Sequence, residues 1–181
     1  DLANMQEKYF ENKTTADIAP VLPEGKVADL GGWVKSSFIN VNSKPTKYAI
    51  RGKYDLLIEF ADGTYGIIDC KFQAKDSDKT DLYQPQLEAY AYALENPDKG
   101  KPFPVSSMGL LVWKLNGIAE TADGAHGFAV TQHYLHVTRD QAQFNSLISD
   151  LMDVIEGELP EAGPDCDTCN YLIKRIALES N

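Results

Sequence analysis

Two apolar β-type runs joined by Ala61-Asp62-Gly63 constrain this chain more than any other feature. Asp-Gly between β-formers is a strong hairpin signal, because the tight turn needs residues that accept a left-handed backbone. Lys47 to Phe60 therefore reads as one long strand and Thr64 to Phe72 as its antiparallel partner. Leu56-Leu57-Ile58 on one arm and Ile67-Ile68 on the other mark both as central and buried. Yet the first arm carries Asp55, and the second carries Asp69 and Lys71. Burying such groups is costly unless they are paired or used.

Strand geometry sorts these residues. Side chains alternate, so Asp69 and Lys71 share one face and Cys70 projects from the other. Asp55 and Asp69 lie about equally far from the turn and are expected side by side. Two carboxylates that close repel unless a cation joins them. Oxygen donors suit Mg²⁺ or Mn²⁺. Lys71, as an ammonium, cannot ligate a metal; it can place a water or stabilise charge on a phosphate. Downstream, Leu82 to Glu95 reads as a helix, which puts Gln86 and Tyr90 one turn apart on one face. An amide and a phenol aimed at the same place can hold a phosphate backbone or orient Lys71.

The remaining elements frame this centre. Asp1 to about Ala19 has a rough apolar stripe (Leu2, Met5, Tyr9, Phe10) and is expected as one helix, ended by Pro20, Pro23 and Gly25. Trp33 to Val41 reads as a strand, broken by the polar stretch Asn42 to Thr46. Val105 to Leu115 and Gly127 to Val137 read as two more strands. Thr138 to Glu158 is an amphipathic helix, with Thr138 as the expected N-cap and Phe144, Leu147, Ile148, Leu151 and Ile155 on one side. A short helix closes the chain after Cys166 and Cys169. The expected order is α, β, β, β, α, β, β, α, α. With no repeat and no linker, residues 1–181 are expected to form a single α/β (α+β) domain.

Charge first argues against a polyanionic partner: the chain carries a net −10. Its distribution softens that. Lys35 to Lys79 holds 8 Lys/Arg and 6 Asp/Glu, net +2, and the rest is net −12. The positive charge therefore gathers around Asp55, Asp69 and Lys71. No apolar run approaches the roughly 20 residues of a membrane-spanning helix, so no membrane partner is expected. Three cysteines, outside any secreted-type framework, suggest a reducing cytoplasmic setting. The first residue is Asp1 rather than Met, and the sequence is open to being a piece of a longer protein.

Gly52-x-x-Asp55, then Asp69-x-Lys71 after a hairpin, then Gln86-x-x-x-Tyr90 on the next helix, fall within 39 residues. This ordered set resembles the PD-(D/E)xK nucleases, and within them the RecB-like exonuclease branch. The resemblance covers Trp33 to Glu95 by motif and the remainder by element order. It implies a restriction-endonuclease-like core, a central mixed β-sheet flanked by helices. It implies Asp55 and Asp69 as metal-binding acids and the backbone carbonyl of Cys70 as a further ligand. Lys71 would be the catalytic lysine, and Gln86 and Tyr90 the helix pair of the branch. The implied reaction is Mg²⁺- or Mn²⁺-dependent hydrolysis of DNA phosphodiesters, single-stranded or at ends. The implied context is repair, recombination or phage DNA metabolism in a cytoplasmic, bacterial or phage-encoded protein, with a larger recombination or repair complex as a candidate partner. A chain of this fold that has lost the chemistry would instead be a nucleic-acid-binding or protein-interaction module.

Several residues fit less simply. Nucleases of this kind often add a Glu or His from an upstream helix; here Glu7 and Glu11 are available, without a motif, and a place upstream of Asp1 is the third alternative. Glu59 shares a face with Asp55 but stands four residues along the strand, too far to share one ion. Cys166-x-x-Cys169 sits where some RecB-like nucleases place half of an iron–sulfur site. A cluster or zinc site needs about four soft ligands, and Cys70 is the one other cysteine, so no cluster is expected. His126, His133 and His136 are not spaced as a ligand set. Trp33 and Trp113 can stack on bases, though single tryptophans beside strands are more often core. Lys44, Lys47, Arg51 and Lys53 flank the proposed site, either to guide a phosphate backbone or simply as a solvated strand face.

Overall fold

A computed structural model describes residues 2–41, 44–73 and 80–179. The chain divides into two compact units, Asp1–Phe144 and Asn145–Asn181. The first opens with α1 (Leu2–Tyr9) and the short α2 (Thr15–Ile18). Strands β1 (Gly25–Leu30), β2 (Trp33–Lys35), β3 (Asn40–Val41), β4 (Lys44–Pro45), β5 (Arg51–Lys53), β6 (Leu56–Phe60) and β7 (Tyr65–Gln73) follow. Then come α3 (Thr80–Glu95), β8 (Val105–Glu120), β9 (His126–Val137), α4 (Gln141–Glu156) and α5 (Asp167–Glu179). Among the described residues no helix is long and apolar enough to cross a membrane.

The central sheet has five strands in the order β1-β6-β7-β8-β9. All neighbours are antiparallel except β7 and β8, which run parallel. Parallel neighbours need a crossover, and α3 lies in the connection between them. The sheet is mixed and covered on both sides, the α/β architecture expected of a restriction-endonuclease-like core. Leu57, Ile67, Met108, Leu110 and Val112 meet Leu87, Ala91 and Leu94 of α3 on one face. Leu56, Ile58, Phe60, Ile68 and Leu111 meet Phe10 and Ile18 on the other. The odd–even split across β6 and β7 is the period of two that a doubly buried sheet imposes.

The hairpin forms in the expected register, with Leu57 opposite Ile67 and Leu56 opposite Ile68. Gly63 makes its turn at φ 81°, and the Asp62 carboxylate accepts the Thr64 N–H at 2.9 Å. The long strand expected over Lys47–Phe60 is two strands in different sheets. The Gly31 N–H donates to the Asp55 carbonyl at 2.7 Å and the Tyr54 N–H to the Gly32 carbonyl at 3.1 Å, which turns the chain between β5 and β6. The helix expected from Asp1 to Ala19 stops at Tyr9, since Asn12 takes φ 60° and a Thr14–Asp17 capping box starts α2 afresh. Likewise Trp33–Val41 divides into β2 and β3, and the expected order misses β1 altogether. Asn42 and Ser43, within the expected Asn42–Thr46 break, lie outside the described residues, as does Asp1. Asp140, not Thr138, caps α4: its Oδ1 accepts the Gln143 N–H at 2.8 Å.

Candidate active site

The end of the hairpin away from its turn is where the charged residues meet. One step past the Leu56–Ile68 pair, the register sets Asp55 opposite Asp69. Asp55 has already left the ladder, so past Ile68 β7 has no backbone partner on that side among the described residues. The Cys70 N–H thus exposed donates to Asp55 Oδ2 at 2.6 Å, a charge-assisted bond that holds the carboxylate against β7. Asp69 is 3% exposed. Its Oδ1 accepts from Gln86 Nε2 at 3.1 Å, and its Oδ2 lies 2.5 Å from Lys71 Nζ. The Lys71 ammonium also sits over the Tyr83 ring, 4.4 Å from its centre.

Helix α3 supplies the far wall. An amide nitrogen has two protons, and Gln86 uses its second to reach the Tyr90 hydroxyl oxygen at 2.8 Å. The Tyr90 hydroxyl proton then has no acceptor among the described residues and is free to donate. The sequence pattern left open whether Gln86 would hold a phosphate or orient Lys71; in the structure it orients Asp69 and Tyr90. The pattern missed Tyr83 as a partner of Lys71. It stands three residues before Gln86 and seven before Tyr90, helical spacing that puts all three on one side of α3.

Burial dominates the electrostatics. It pushes the Asp55 carboxyl above its ordinary value, helped by Asp69 and opposed by the Cys70 N–H, Lys71 and Lys53. Burial also pushes Asp69 up, against the Lys71 ammonium and the Gln86 amide. Burial pulls Lys71 down, but the bond and charge of Asp69 outweigh it and hold the ammonium above the usual lysine range. Lys71 is therefore a cation at neutral pH, suited to stabilise negative charge and not to accept a proton. The Cys70 thiol is driven up by burial and by both carboxylates, so its sulfur stays protonated and its backbone carbonyl is the donor it can offer.

These residues fit a hard divalent cation by donor chemistry. A half-buried carboxylate, Asp55, and a buried one, Asp69, are held with raised proton affinity on neighbouring strands, and such oxygen donors suit Mg²⁺ or Mn²⁺. Among the described residues no cluster of three His, Cys, Asp or Glu side chains is present; Asp55 and Asp69 are the two carboxylates the hairpin brings together. Apart from the Lys71 ion pair, Asp69 Oδ2 is buried without a hydrogen-bond donor. Of the upstream acids, Glu7 approaches: its Oε1 is 3.4 Å from Lys53 Nζ, and its charge reaches Cys70. Glu11 lies exposed beyond the end of α1. Glu59 is engaged elsewhere, 3.0 Å from Lys26.

The other singled-out residues stand apart from this cluster. His126, His133 and His136 are exposed along β9. Trp113 is half-buried among Tyr9, Phe10 and Phe72, whereas Trp33 is exposed. Lys47 covers its neighbour Tyr48, and Arg51 stacks on Trp33. In the C-terminal unit, Cys166 and Cys169 are free thiols. The Cys169 N–H donates to Cys166 Sγ at 3.4 Å, which with the Cys169 thiol lowers the proton affinity of Cys166.

A hairpin in a mixed sheet that brings two acids and a lysine to one face, with a helix closing over them, defines a class of phosphodiester-cleaving folds. The sequence matches that class over residues 3–173: the chain belongs to the PD-(D/E)XK nuclease superfamily. Among solved structures, the crystal structure of SSO0001 is similar, at TM-score 0.44 and 17% identity over 80% of this chain. The chain spans 58% of the length of that protein. No curated protein matches the sequence.

Proposed function

We propose that this chain is a Mg²⁺- or Mn²⁺-dependent deoxyribonuclease of the RecB-like exonuclease branch, acting on single strands or DNA ends. One observation carries the reading. Asp69, almost wholly buried, binds Lys71 through one oxygen and Gln86 through the other, with Asp55 across the hairpin. A fold gains little from burying Asp69 and half-burying Asp55 and Lys71 at a strand end unless they act.

In this reading Asp55, Asp69 and the Cys70 carbonyl hold the cation. A divalent ion there would polarise the scissile phosphate and lower the cost of charge developing on it. Lys71, a cation at neutral pH, turns from Asp69 toward a non-bridging phosphate oxygen and stabilises that charge. Gln86 fixes the Asp69 carboxylate, and Tyr90 offers its free hydroxyl proton to the phosphate backbone. The match over residues 3–173 runs through both compact units, which supports reading residues 1–181 as one nuclease domain. The reading further sets the protein in the cytoplasm, in DNA repair, recombination or phage DNA metabolism, alone or within a larger complex.

A second reading has one observation in its favour. The ammonium of Lys71 already fills the place beside Asp69 Oδ2 that a cation would use, as befits a chain that binds nucleic acid or protein without cutting. Cleavage of end-labelled single- and double-stranded DNA with Mg²⁺ or Mn²⁺ separates the two. The nuclease reading expects products with the wild type and none with Asp69→Ala or Lys71→Ala. Folded wild-type protein that cuts nothing at any metal concentration rejects it.

A further inference from the structure

Trp33 and Arg51 stand where the chemistry above does not use them. The β2–β5 ribbon pairs Trp33 with Lys53 and Lys35 with Arg51. Its inner side is occupied: Val34 is buried, and Gly52 lies against the Tyr90 ring. Its outer side carries Trp33, Lys35, Arg51 and Lys53, all exposed. Trp33 is 67% exposed, unlike the half-buried Trp113. The Arg51 guanidinium lies 4.9 Å from the centre of the Trp33 ring. Among the described residues it has no carboxylate partner.

The Arg51–indole contact adds a little to a short ribbon, but three cations on four neighbouring positions work against it. Lys35 and Arg51 face each other directly, and like charges so placed repel. Asp98 relieves Lys35 at 2.9 Å and Glu7 approaches Lys53 at 3.4 Å, which leaves Arg51 with the indole alone. On a chain of net charge −10 this concentration of positive charge is local. One kind of ligand answers both features: phosphates for the cations and flat apolar rings for the indole. Stacking on Trp33 needs an uncovered base face, which a single strand offers and the interior of a duplex does not. The ribbon also leads to the site, since Lys53 is two residues from Asp55.

We propose that the outer face of the β2–β5 ribbon is the track of a single DNA strand, with Trp33 stacked on a base and Arg51 on a phosphate. The strand then passes Lys53 to reach Asp55 and Asp69. This inference rests on the nuclease reading and names the form of substrate that the site receives.

Binding without cleavage tests it. Fluorescein-labelled oligothymidylate is titrated with the full chain in EDTA, over a range of salt, and followed by anisotropy. The blunt duplex of the same length is titrated in parallel. Trp33→Ala is expected to weaken single-strand binding roughly ten- to a hundredfold, the loss of one base–aromatic stack, with duplex binding unchanged. Trp33→Phe keeps most of the affinity. Arg51→Gln weakens binding and reduces the salt slope by about 0.7, one phosphate contact on a single strand, whereas Trp33→Ala leaves the slope as it was. Trp33→Ala binding the single strand like wild type overturns the proposal. So does an equal loss on single strand and duplex, or no single-strand binding by the wild type at low salt. Failure of the nuclease reading looks different: the single strand binds through Trp33, yet adding Mg²⁺ or Mn²⁺ cuts nothing.

Discussion

Gly52 lies flat against Tyr90: a Cβ on Gly52 would stand 2.4 Å from Cε1 of the tyrosine ring. Tyr90 in turn accepts from Gln86, which holds Asp69. A glycine on β5 thereby sets the place of a carboxylate on β7. Gly52→Ala is expected to displace the Tyr90 ring and break the chain of bonds to Asp69. Overpacking of this kind costs about 1–3 kcal/mol, read as a lower urea midpoint, and cleavage should fall further than stability does. In a Tyr90→Ala background the same change should cost little, because the colliding atoms are gone. Equal costs in both backgrounds would show that the contact does not couple the two residues.

Asp55 should act against the stability of the metal-free protein. Burial raises its folded-state proton affinity above the unfolded value. Below the unfolded value both states are protonated and nothing is lost; as pH rises through the folded value, the native state must ionise a half-buried carboxyl and stability drops. Asp55→Asn keeps an oxygen for the Cys70 N–H and removes the charge. In EDTA at neutral pH its Tm should exceed that of the wild type. The excess should vanish in acid.

The same carboxylates should make the wild type respond to metal. At about a hundred times its Kd, a cation that binds only the native state adds about 2.7 kcal/mol, a rise in Tm of roughly 5–10 °C. Mg²⁺ or Mn²⁺ should produce that rise in the wild type and none in Asp55→Asn, as read by differential scanning calorimetry. An equal rise in both would place the cation elsewhere.

What could be read in the sequence was local. The hairpin needed only the Asp-Gly turn and its apolar flanks, and Asp55, Asp69, Lys71, Gln86 and Tyr90 all fall within 36 residues. Less was legible where distant backbone decides. Nothing in the alternation from Lys47 to Phe60 marks a break at Tyr54-Asp55, because Gly31 and Gly32 impose it from another segment. Strand β1 escaped notice since Val27 and Leu30 are its main apolar side chains, and pairing with β6 defines it. Trp33 reads as core by residue type and proves exposed, since β2 pairs with β5 alone and presents its outer face to solvent.

Glu88 was hidden for the same reason. It lies beside the motif on α3 yet serves the fold: at 1% exposure, its Oε2 accepts from Arg139, fifty-one residues away, at 3.1 Å, and its Oε1 accepts the Asp140 N–H at 2.6 Å. Arg139 also donates to Glu95 at 2.6 Å and to the Val105 carbonyl at 2.7 Å. Removing Glu88 leaves Arg139 with Glu95 as its one carboxylate partner among the described residues and the Asp140 N–H without its acceptor, so Glu88→Ala should cost about 1–3 kcal/mol, read from urea unfolding. The double variant Glu88→Ala/Arg139→Met should regain part of that. Whatever folded fraction of Glu88→Ala remains should keep its metal dependence, which separates this acid from Asp55 and Asp69.

Glu7 is placed to act on either of two partners. Its carboxylate neighbours Lys53, and its charge reaches Cys70 at the site. If it contributes to cation binding, Glu7→Gln should raise the Mg²⁺ concentration for half-maximal cleavage about tenfold, the loss expected for a residue supporting a metal site. Glu11→Gln, exposed beyond α1, should leave that concentration unchanged. If Glu7 only restrains Lys53, its removal should free the lysine for phosphate, tighten DNA binding in EDTA and leave the metal dependence alone. The position favours the first outcome. A 3.4 Å contact with a half-exposed lysine is a weak restraint, whereas the Glu7 side chain is itself largely buried beside the strand that carries Asp69 and Cys70.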